Sequence, residues 1–98
     1  MIRIAESADF RDRLAAIIPQ AVILQQFLRF GVTFHLERNY EQYLVLESDG
    51  LIITERGFVG VPSCLIWFHV EHRLDGDIIL TLYDAAATRP PEEAEDES

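Results

Sequence analysis

Lysine is absent from this 98-residue chain; all eight of its basic residues are arginine. That absence excludes a Schiff-base lysine, a lysine general base and a phosphate-loop lysine. The single cysteine, Cys64, cannot close an internal disulfide, which points to a reducing compartment, the cytosol. No apolar run approaches the ~20 residues that span a bilayer. The first residues, Met1-Ile2-Arg3-Ile4, have no leader-like apolar stretch, so no membrane association is expected. Metal spacing is also missing, with neither C-x-x-C nor H-E-x-x-H present. His69 and His72 would point to opposite faces of a strand, and His35 and Cys64 are remote in sequence. Gly57-Phe58-Val59-Gly60 lacks the third glycine and following helix of a phosphate cradle. No metal, cofactor or catalytic residue is therefore expected. A lone cysteine such as Cys64 usually serves as a small buried hydrophobe.

What is present is acid. Seventeen acidic residues stand against eight arginines, a net of −9. Five of the acids (Glu92, Glu93, Glu95, Asp96, Glu97) crowd the last seven residues, leaving 12 acids and 7 arginines in residues 1–88, a net of −5. Phosphate contacts need clustered cations, so direct nucleic-acid binding is not expected. A basic protein partner is favoured, with its encounter speeded by steering. The composition of residues 89–98, with Pro90-Pro91 followed by acids, predicts a disordered tail after a single domain over 1–88.

The hydrophobic periodicity changes along the chain. Residues 1–5 suit a short edge strand or a lead-in. Ser7-Ala8-Asp9 offers capping oxygens, and Phe10, Leu14, Ile17 and Ile18 share one helical face, predicting a helix over 8–17. Pro19 interrupts it, so a second helix is expected from Pro19 to a glycine cap at Gly31; a single helix kinked at Pro19 is the alternative. From residue 32 the period shortens to two, predicting strands over 32–37, 43–48, 51–55, 63–73 and 77–83. Asp49-Gly50 and Asp75-Gly76 mark two-residue hairpin turns. The expected fold is α+β, with two N-terminal helices packed on one face of a four- to five-stranded antiparallel meander.

Two-residue turns set the expected register. In the second hairpin, Arg73 would face Ile78, Glu71 face Leu80 and His69 face Leu82, with Trp67 and Leu65 continuing the row. Both faces of this hairpin are then largely apolar, yet a helical pair covers only one. The uncovered face is expected to carry Trp67, Leu80 and Leu82, ringed by His69, Glu71 and Arg73, as a partner-binding surface. Asp75 and Asp77 are explained by the turn, whereas Glu71 is not.

These features predict a non-enzymatic protein-binding module. Its size and charge are similar to those of small acidic inhibitors, phage-type or immunity-type, that engage basic or nucleic-acid-binding proteins. A homodimeric structural or regulatory subunit using the same apolar sheet face is the alternative. A small-ligand domain or enzyme, with a pocket between helices and sheet lined by Phe10, Phe27, Phe30, Tyr40, Tyr43 and Trp67, is a third reading, and it requires a convergent polar group.

Overall fold

A computed structural model of the chain describes residues 1–54 and 61–88. Glu55, the glycine-punctuated stretch to Gly60 and the acidic segment 89–98 lie outside the described residues. The elements in chain order are β1 (Ile2–Glu6), α1 (Phe10–Ile17), α2 (Ala21–Phe27), a π-helical stretch (Leu28–Thr33), α3 (Phe34–Asn39), a 3₁₀ turn (Tyr40–Tyr43), β2 (Asp49–Ile53), β3 (Cys64–His72) and β4 (Ile78–Ala87).

Proline punctuates the helical half as its chemistry requires. Ile18, just before Pro19, leaves the helical region at φ −124° and ψ 88°. The chain then turns by 112° between Phe10–Ile17 and Ala21–Tyr43. No single helix among the described residues is long and apolar enough to cross a membrane.

The second helical segment does not stop at Gly31. It runs on through residues 32–37, where alternation had suggested a strand. The buried stripe shows why: Leu24, Leu28, Val32, Leu36 and Tyr40 are all buried and recur at every fourth position. In a regular α-helix that spacing drifts by roughly 40° per step. The π-helical winding over Leu28–Thr33 turns the stripe back towards the core. The Phe34 N–H donates to the Arg29 carbonyl, and the Thr33 hydroxyl donates to the carbonyls of Leu28 (2.8 Å) and Arg29 (3.1 Å). Gly31 is helical here; among the described residues only Gly76 has positive φ.

Among the described residues the sheet has four strands in the order β1-β4-β3-β2, and it is mixed. β2, β3 and β4 are antiparallel, but β1 pairs with β4 in parallel, from Ile2 opposite Ile78 to Glu6 opposite Leu82. The expected pure meander is thus corrected: the N-terminal strand becomes a sheet edge beside the last strand. All the helices lie on one face, where Phe10, Leu14, Phe27, Val32 and Leu36 meet Ile52, Cys64, Ile66, Phe68, Val70, Leu80 and Leu82 in one core. Each large side chain so buried contributes about 1.5–3 kcal/mol.

Asp49-Gly50 is not a turn. Both residues lie inside β2, opposite His69 and Phe68. Gly50 is there for a different reason: a Cβ on it would overlap the Phe68 ring, which lies against its backbone.

Candidate functional site

The face of the sheet turned away from the helices is built by strand alternation. It presents Arg3 and Ala5 from β1, Ile79, Thr81 and Tyr83 from β4, Leu65, Trp67, His69 and Glu71 from β3, and Asp49, Leu51 and Ile53 from β2. None of these side chains belongs to the buried core.

The register arranges them in rows. Ile53 stands opposite Leu65, and Leu51 opposite Trp67. Asp49 stands opposite His69, and His69 opposite Thr81. Glu71 stands opposite Ile79, which pairs onward to Arg3. One half of the face is therefore apolar and the other polar. Ile53 is 58 % exposed and Tyr83 38 %, so the apolar half carries large side chains in contact with solvent.

Of the expected site residues, Trp67, His69 and Glu71 lie together on this face. Arg73 follows β3 at the turn, 3.8 Å from Glu71 across an ion pair. Leu80 and Leu82 lie on the opposite face, in the core, at 0 % and 1 % exposure. The reason is a one-residue difference in the hairpin. The loop holds three residues rather than two: the Arg73 N–H donates to the Asp77 carbonyl (2.9 Å) and the Gly76 N–H to the Arg73 carbonyl (3.1 Å). Gly76 sits at φ 94°, and the Asp75 carboxylate accepts from the Asp77 N–H at 3.0 Å. This is a type I turn closed by a glycine bulge. Val70 and Phe68, not Glu71 and His69, therefore face Leu80 and Leu82. A slip of one residue exchanges every side chain between the two faces, so Ile79, Thr81 and Tyr83 take the open side.

A second irregularity shapes the middle of the face. Phe68 pairs with Leu82 but Trp67 pairs with Asp84, leaving Tyr83 as the extra residue of a bulge. The bulge lets Asp84 accept from Arg13 of α1 (2.8 Å) and from the Ala85 N–H (2.8 Å). The Tyr83 hydroxyl is pushed above its ordinary pKa, first by burial and then by the charges of Asp49 and Asp84. Asp49 Oδ1 lies 3.1 Å from His69 Nδ1, within hydrogen-bond reach of the imidazole.

Asp49 itself is firmly placed. Its carbonyl accepts from the N–H groups of Val45 (2.9 Å) and Leu46 (3.1 Å), while the neighbouring Ser48 carbonyl accepts from Val70 (2.7 Å). Sequence reasoning read Asp49 as a turn residue and so missed it. The signal available was the alternation Asp49, Leu51, Ile53 against Gly50, Ile52, Thr54.

Other features carry less. Cys64 is fully buried; its thiol is pushed up by burial, an effect partly offset by the Thr54 hydroxyl, and it is not positioned as a nucleophile. A depression of about 380 Å³ lies at the β3–β4 turn, lined by Glu71, His72, Arg73, Leu74 and Asp75. On the outer side of the long helical segment, Phe30 and Phe34 are exposed, each under its own arginine: Arg29 at 5.5 Å and Arg38 at 5.1 Å. Among the described residues, no group of three or more His, Cys, Asp or Glu side chains is arranged to hold a metal ion. No protein-family model, curated protein or solved structure matches this chain.

Proposed function

We propose that this chain is a non-enzymatic protein-binding module, an acidic inhibitor of the phage or immunity type, which docks on a basic or nucleic-acid-binding protein through its open sheet face. The observation that carries this reading is the apolar patch of Ile53, Leu65, Leu51, Trp67 and Tyr83 on the face away from the helices, with Ile53 and Tyr83 exposed and the other three partly so. Aromatic side chains rimmed by charge are typical anchors of protein interfaces. The net charge of −9 favours a cationic partner. The reading puts the module in the cytosol, where a lone free thiol such as Cys64 stays reduced.

The test compares three immobilised proteins: the parent, the open-face variant Ile53→Asp/Trp67→Ala, and the helix-face control Phe30→Ser. A basic protein retained by the parent and the control but lost by the open-face variant supports the reading. Equal retention by all three overturns it. Light scattering on the same samples identifies the alternative occupant: a dimer that Ile53→Asp dissociates makes a second copy of the chain the partner.

A further inference from the structure

We propose that the partner-facing side of the Asp49–His69 pair, with Trp67 and Tyr83 beside it, is the seat for a single guanidinium group, an arginine side chain presented by the partner. The inference rests on the docking reading above and names the chemistry that its centre selects.

Charge neutralisation around the open face is uneven. Asp77 is met by Arg3 at 3.5 Å, Glu71 by Arg73 at 3.8 Å and Asp84 by Arg13 at 2.8 Å. Asp49 is the carboxylate on this face with no arginine among the described residues. Among the described residues its side-chain partner is the His69 imidazole, on Oδ1, which leaves Oδ2 to accept from outside. Its backbone is held by Val45 and Leu46, so the acceptor does not have to be ordered when a ligand arrives.

The neighbours suit a planar cation. Trp67 is opposite Leu51, which places it diagonal to Asp49 at about 7–8 Å. Tyr83 is brought in from β4 by the bulge, close enough for Asp49's charge to act on its hydroxyl. A guanidinium can lie over an aromatic face while its edge donates to a carboxylate. An ammonium lacks that planar fork, so arginine is the better fit. The apolar row of Leu51, Leu65 and Ile53 continues beside the seat and takes the apolar surroundings of such an arginine on the partner.

Trp67 is the chain's single tryptophan, so its fluorescence reports this site alone. The full chain is titrated with acetyl-arginine amide and with its neutral isostere acetyl-citrulline amide, following Trp67 emission and the His69 ring resonances. The expected result is a saturable change with the arginine derivative and at least about tenfold weaker binding of the citrulline compound. Asp49→Asn should weaken the arginine derivative at least about fivefold, while the remote Glu41→Gln leaves it unchanged. Equal responses to the two compounds, an unchanged response in Asp49→Asn, or no saturable change overturns the arginine seat. If the guanidinium seat fails while Ile53→Asp/Trp67→Ala still abolishes partner capture, docking through the face stands without it. If capture is insensitive to the face, the docking reading itself has failed.

Discussion

The two faces of one four-stranded sheet differ in what their alternation conceals. On the helix side, β3 contributes Cys64, Ile66, Phe68 and Val70, all buried; on the other side it contributes Leu65, Trp67, His69 and Glu71, all at least partly exposed. Both sets begin apolar at the same end of the strand, so hydropathy does not tell them apart there. What separates them is the helical layer, which is wide enough for one face only. The covered face pays its residues in stability. The open face leaves Leu65, Trp67 and Leu51 partly exposed and Ile53 exposed.

Substitutions on matched rows sharpen that contrast. The largest effect is expected at Phe68: Phe68→Ala should cost about 3–5 kcal/mol by denaturant unfolding. Its strand neighbour Trp67→Ala, on the open side, should cost less than about 2 kcal/mol. Equal losses would mean that the open face is covered in solution. Next comes Gly50→Ala, which forces a methyl against the fully buried Phe68 ring and should cost about 1–3 kcal/mol. If Gly50 were a turn glycine the cost would not depend on Phe68. Combining it with Phe68→Leu should therefore recover part of the loss.

Gly76→Ala, at a positive φ with open space around it, should cost about 1 kcal/mol from backbone strain alone. Its unfolding midpoint separates turn strain from packing strain.

Cys64 tests the covered face by pH. Its pKa is raised in the fold, chiefly by burial. Below the unfolded thiol's pKa, about 8.5, both states hold the proton and stability is full. As pH rises past that value the unfolded chain loses its proton first, so stability falls until the buried thiol ionises. Cys64→Ala should show a shallower decline between about pH 8 and about pH 10 in urea midpoints. The smallest effect belongs to Ile53→Asp on the open side, expected within about 0.5 kcal/mol of the parent while it removes binding.

Much of the helical half was legible locally. Pro19 ends α1 because it disfavours helical angles at Ile18, and the Phe10–Leu14–Ile18 face is buried as its spacing indicates. The misreading from residue 32 onward came from a short window in which alternation and a four-residue repeat coincide. Only the longer stripe, from Leu24 to Tyr40, distinguishes them. At the candidate site, Trp67, His69 and Glu71 were legible from strand parity, whereas Tyr83 and Asp49 were not, because their faces depend on turn length and strand position.

The sequence by itself determined the composition of the two halves, the break at Pro19, the long strand carrying Trp67 and the excess of acid, because each follows from local propensity or from counting charges. Tertiary structure decided the rest. It set β1 parallel to β4, converted Asp49-Gly50 from an expected turn into a strand with room for Phe68, and shifted the β3–β4 register by one residue. Strand faces have a period of two, so that single residue settled which leucines enter the core and which aromatic ring lies on the open face.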